Sequence, residues 1–181
     1  MRSITRAVMI LAVTTGLLAG CSTAPPSPES RNELIEQGRA AMKAMGQVDP
    51  GVETLARKGH GYALFPEVTK GGLVFGGAYG HGVVYEQGQH IGYADLMLGS
   101  FGLQMGGQRY SELIVFESKA ALDRFKQGRL DFAADASAII AKTGTATNAR
   151  FVDGVAVIVR PIEGAMAEAA VAGQQFRYVP K

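Results

Sequence analysis

Fourteen of the 49 residues from Gly59 to Gly107 are glycine, and around them the apolar residues follow a period of two. A helix does not survive that density, because each interior glycine costs about 1 kcal/mol relative to alanine. Alternation argues for strands instead. In residues 73–85 the odd positions are Leu73, Phe75, Gly77, Tyr79, His81, Val83 and Tyr85, whereas the even ones are Val74, Gly76, Ala78, Gly80, Gly82 and Val84. One face of this strand is bulky and the other nearly bare. Interior glycine weakens a strand unless something must approach the backbone, so the pattern predicts close packing on the bare face or strong curvature. Gly72 to Gly77 recurs loosely as Gly102 to Gly107, which implies two similar strands without the several copies that a repeat architecture needs.

Helical patterns flank this region. Ser30-Arg31-Asn32-Glu33 reads as a capping box opening a helix over about 31–45, with Leu34, Gly38, Ala41 and Met45 on one face and Ile35 and Met42 beside them. That face packs on a core or, alternatively, lies on a membrane surface. Asp49-Pro50 reads as the N-cap and first residue of a short helix ending at Lys58-Gly59. Leu113 to Phe116 reads as a strand, and Ser118 caps a helix that stops at Gly128. Residues 131–143 fit a helix or a strand. Val155, Val157 and Val159 mark another strand, which Pro161 to Gly164 turns into a closing strand through Ala165, Ala167, Ala169 and Val171, with Phe176 to Val179 near the end.

The first twenty residues have the layout of a secretory signal: Arg2 and Arg6, an apolar run from Ala7 to Leu18, then small residues. The run is too short to span a bilayer. Leu18-Ala19-Gly20-Cys21 resembles the bacterial lipobox, and Cys21 is the single cysteine of the chain. The resemblance implies cleavage before Cys21 and covalent acylation there, with two or more chains giving stable anchorage. Ser22 in place of Asp resembles the pattern of outer-membrane lipoproteins facing the periplasm. Residues 21–29 are then the lipidated cysteine and a Pro/Ser-rich spacer, and 30–181 form the domain.

Without Arg2 and Arg6 the chain carries 16 basic and 16 acidic residues, so it presents no basic footprint for nucleic acid. No catalytic constellation is visible. No P-loop is present, Tyr85 stands where a third glycine of a nucleotide fingerprint belongs, and Gly99-Ser100-Phe101 is not a nucleophile elbow. His60, His81 and His90 with Asp95 are the conceivable metal set, but their spacings match no familiar site, so no metal or other cofactor is expected.

Lys58-Gly59-His60-Gly61-Tyr62-Ala63-Leu64-Phe65-Pro66-Glu67-Val68-Thr69-Lys70-Gly71-Gly72 resembles the opening of the SYLF domain. Gly76 to Gly82, Gly99 to Gln108, Leu113 to Phe116 and Leu122 to Phe125 resemble its successive blocks in order, and the likeness extends over about residues 30–180. The resemblance implies a non-catalytic lipid-binding module, linked in eukaryotic members to phosphoinositides and actin organisation. It also tips residues 132–143 toward strand. Lys58 and Lys70 occupy matching motif positions, and with Arg57 and Arg109 they are candidates for contacting lipid phosphates.

The expected fold is α+β: a strongly curved, mostly antiparallel, glycine-rich sheet covered by N-terminal helices and one central helix near 118–127. The expected function is that of an outer-membrane lipoprotein, tethered by its acyl chains, whose domain binds phospholipid or a membrane surface. The alternative is an interaction lipoprotein that binds another envelope protein. No nucleic-acid partner is expected.

Overall fold

The computed structural model describes residues 27–71, 75–101, 107–130, 137–163, 169–170 and 173–181. The expected signal segment, Cys21 and most of the expected spacer lie outside these, as do residues 131–136 and Gly164 to Ala167. Two helices come first, α1 (Pro28–Val48) and α2 (Gly51–Lys58), then strands β1 (Gly61–Gly71), β2 (Phe75–Glu86), β3 (Gln89–Phe101) and β4 (Gln108–Phe116). Helix α3 (Lys119–Lys126) follows, then β5 (Ser137–Ile140), a turn of 3-10 helix (Ala146–Asn148), β6 (Val155–Glu163), β7 (Ala169–Ala170) and β8 (Gln175–Pro180).

The strands form one sheet in the order β7-β5-β6-β4-β1-β2-β3-β8. Every pairing is antiparallel except that of β5 with β6. The β2–β3 hairpin turns through Gln87 and Gly88, both at positive φ (49° and 80°), which is the two-residue turn whose twist matches the strands it joins.

The sheet is rolled. Phe65 of β1 and Phe176 of β8 lie three ladder steps apart, yet their ring centroids are 5.9 Å apart across the concave face. Helix α3 fills that face: Phe125 packs against Phe176 at 5.2 Å and against Phe116 of β4 at 4.9 Å. The even, bare positions of β2 point the same way. A Cβ on Gly82 would stand 2.7 Å from the Phe65 ring and 2.9 Å from the Leu64 carbonyl oxygen. The glycine pattern therefore serves close approach and curvature together, as its alternation requires.

Helices α1 and α2 cover the convex face. Leu34, Gly38, Ala41 and Met45 are the buried residues of α1, so its apolar face packs on the sheet and is not left for a membrane surface. With Val52 and Leu55 of α2 they meet Leu64, Val83, Leu113, Val115 and Ile158. A sheet apolar within and helix-covered without is the reverse of a transmembrane barrel. Among the described residues no helix is long and apolar enough to cross a membrane.

Two local expectations shift, and the strand that the resemblance implied within residues 132–143 is met by β5. Helix α1 starts a turn early because Ser27 is its N-cap: Ser27 Oγ accepts from the Ser30 amide, the Ser30 hydroxyl closes the box from N3, and Pro28 occupies the first turn. The first helix thus begins inside the stretch expected to be spacer. Strand β6 runs on through Pro161, which pairs with Tyr110 beside a register shift, instead of turning there. Residues 137–140 are strand.

Two carboxylates, the buried Asp49 and the half-buried Glu86, lock the elements. Asp49 Oδ1 accepts from the Gly51 amide (3.0 Å), while Oδ2 accepts from the Ala146 amide (2.7 Å) and the Thr145 hydroxyl (3.1 Å). Burial pushes its carboxyl up, but these bonds outweigh that and hold it below the ordinary value. Glu86 accepts from Lys126 of α3 at 2.8 Å and bonds His60 Nε2 at 2.9 Å, clamping α3 to the hairpin end of β2.

Candidate functional site

Helix α1 lies across the convex face with a groove on each side. The groove toward α2 encloses about 340 Å³. Its floor is built by the β1–β2 ladder, which sets Tyr62 opposite Tyr85 so that the rings stack at 4.9 Å with an interplanar angle of 18°. Met42, Leu64 and Ala56 complete an apolar base. Burial raises the Tyr62 phenol to about 12 and also raises that of Tyr85, so both rings stay neutral at physiological pH.

The rim is cationic. Arg39 and Lys43 stand one helical turn apart on α1, and Arg57 faces them from α2. Arg39 pairs with Glu36, and Arg57 with Glu53 at 3.5 Å; both are exposed pairs that a stronger anion displaces cheaply. Lys43 has no carboxylate within ion-pair distance among the described residues. An aromatic base beneath three cations suits an anionic headgroup carrying apolar mass: guanidinium and ammonium hold the charge, and the ring faces cover carbon.

The four cations expected from the sequence do not converge. Lys58 ends α2, ahead of β1, whereas Lys70 is next to last in β1, so about 30 Å of strand rise separates them. Arg57 sits on the groove rim near Lys58. Arg109 pairs with Thr69 in the ladder beside Lys70, and its guanidinium is held by Glu163 (2.7 Å) and Glu67 (3.2 Å). Arg39, Lys43, Tyr62 and Tyr85 escaped the sequence reading. The spacing of Arg39 and Lys43 was visible, but both fall on the helix face that looks solvated until α2 is placed beside it.

The histidines disperse. His60 bonds Glu86, His81 bonds Asp95 at 2.6 Å, and His90 packs edge-on to Tyr93 at 4.9 Å. Among the described residues no three His, Cys, Asp or Glu side chains gather as a metal site would require.

Comparison with known proteins fits this architecture. The Ysc84 family, described as "Las17-binding protein actin regulator", matches residues 98–177, which run from the end of β3 into β8. Both helices that frame the groove precede the matched segment. Beta cell expansion factor A of Aeromonas veronii is 23% identical over 150 residues, covering 82% of this chain and 57% of that protein. The chain therefore spans little more than half the length of this curated relative. Residues 98–177, from the end of β3 into β8, are thus the part of the chain that resembles the Ysc84 family.

Proposed function

We propose that this protein is an outer-membrane lipoprotein facing the periplasm, anchored through acylated Cys21, whose SYLF-family domain contacts anionic phospholipid headgroups without transforming them. The observation that carries this reading is the groove between α1 and α2, where Arg39, Lys43 and Arg57 ring a stacked tyrosine floor. Arg57 belonged to the set expected from the sequence; the other two join it only in the fold. Each basic side chain near an anionic leaflet contributes about 1 kcal/mol, so removing three predicts a loss on the order of a hundredfold.

The test uses full-length protein with Cys21→Ser, so that no acyl chain obscures the readout, and vesicles with or without phosphatidylglycerol. Binding should require the anionic lipid, weaken with salt, and fall on the order of a hundredfold in Arg39→Gln/Lys43→Gln/Arg57→Gln. Unchanged binding by the triple variant would sink the groove as the contact site.

A protein partner in the envelope is the second reading. The family description names a protein target for other members, and Tyr79 and Met97 form an exposed cross-strand pair that could seat one. A stoichiometric protein co-purifying with lipid-free domain would favour it.

A further inference from the structure

The second groove, on the other side of α1, is larger, at about 660 Å³, and chemically different. Its α1 wall is mostly apolar and small, built from Leu34, Ala40, Ala41 and Ala44 with Gln37 among them, whereas the sheet side brings Tyr79 and His81 of β2 and Arg160 of β6. His81 is fixed by Asp95, which is 2% exposed and accepts at Nδ1, so the proton of a neutral ring belongs on that nitrogen. Nε2 then accepts from the Tyr79 hydroxyl at 2.8 Å.

Arg160 is the unusual group. It is half-buried, its Nη2 reaches only the Ser111 hydroxyl at 3.5 Å, and its Nε is shut from solvent without a hydrogen-bond partner among the described residues. Ser111 already donates to the Pro66 carbonyl at 2.8 Å. No carboxylate pairs with Arg160 among the described residues. Glu67 lines the same groove, but it is half exposed and engaged by Arg109, which Glu163 also holds. A guanidinium partly removed from water and left unpaired is costly, and its planar fork matches a carboxylate with two parallel bonds.

We propose that this groove binds a single-chain amphiphile with one carboxylate, a fatty acid, its headgroup on Arg160 and its chain along the alanine face of α1. One cation calls for one anion. Three alanines and Leu34 beside a cavity of this size accommodate a flexible chain better than a bulky polar ligand, and Gln37 is the one polar α1 side chain it would pass. The site is separate from the groove toward α2 and does not depend on the phospholipid reading.

Titration calorimetry on full-length Cys21→Ser protein, stripped of lipid, tests this with dodecanoate, dodecanol and acetate as probes, below micellar concentrations. Dodecanoate should bind at one equivalent, dodecanol at least tenfold more weakly, and acetate not measurably. Arg160→Gln should erase the preference for dodecanoate over dodecanol. Ala40→Trp, which puts an indole on the α1 wall of the groove, should abolish both. Arg57→Gln, in the other groove, should leave dodecanoate binding unchanged. Absence of saturable binding, equal affinity for dodecanoate and dodecanol, or retention of the preference in folded Arg160→Gln would each overturn the assignment. Should Arg160→Gln fail to fold, unaltered binding by Ala40→Trp overturns it as well.

Discussion

Gln174 donates through Nε2 to Glu112 Oε2 at 2.9 Å, although Glu112 is in β4 and Gln174 immediately precedes β8. Strands β1, β2 and β3 stand between them, so a flat sheet would hold these positions about 19 Å apart. The bond therefore measures how far the sheet has rolled. It also places a carboxyl group inside an aromatic and aliphatic core, beside Tyr110.

Glu112 makes stability depend on pH in an unusual sense. Burial pushes its carboxyl up to about 7, against the opposing Gln174 bond. The folded state thus holds a proton that the unfolded state releases above about 4.5, so this group's contribution is intact below that pH and declines as pH rises to about 7. Glu112→Gln keeps the shape and removes the charge. Urea melts at pH 5 and pH 8 should show the variant gaining on the order of 2 kcal/mol relative to wild type at the higher pH. A variant equally destabilised at both would contradict the assignment.

Asp49 ties the start of α2 to the 3-10 turn nearly a hundred residues later. Asp49→Ala strands the buried Ala146 amide and the half-buried Gly51 amide and should cost about 2 to 4 kcal/mol in chemical denaturation. Thr145→Val removes one hydroxyl donor and should cost about 1 kcal/mol. Equal losses in the two variants would mean that the carboxylate is not the hub.

Gly82→Ala should destabilise by about 1 to 3 kcal/mol, because its methyl group collides with the Phe65 ring. In a Phe65→Leu background the added cost should shrink but not vanish, since the Leu64 carbonyl still crowds the site. A double-mutant cycle of the two changes reads this coupling, and strict additivity would refute the contact.

Cys21→Ser should convert a detergent-requiring membrane protein into one released by aqueous washing, with the acyl mass increment lost in whole-protein mass spectrometry. Wild-type protein that washes free with an unmodified thiol would remove the anchor from the proposal.

Local chemistry made much of the fold legible. The bare even positions of β2 announced that something presses on its backbone, and Ser118 and Gly128 bracketed α3 with little error. Errors arose where two local signals competed. Ser30 read as the cap, whereas Ser27 takes that place, with Pro28 in the first turn and Ser30 at N3 of the same box. Pro161 looked like a turn, yet a register shift in the ladder accommodates it within β6. The site was far less legible. Arg57 and Arg39 lie on different helices, and only the packing of α2 beside α1 makes them neighbours, while Lys58 and Lys70, which share one motif, sit at the end of α2 and near the far end of β1.

Phe176 reaches the interior from the last strand, and its aromatic partner Phe65 lies more than a hundred residues earlier. Closing so long a chain segment precedes any gain from that contact, which predicts slow, late maturation with little benefit from partial synthesis. Until β8 docks, the outer edge of β3 offers unpaired amides and carbonyls to any neighbouring chain, so a nascent molecule is exposed to strand-mediated aggregation. Whatever compartment receives this polypeptide has to keep copies apart until β8 arrives.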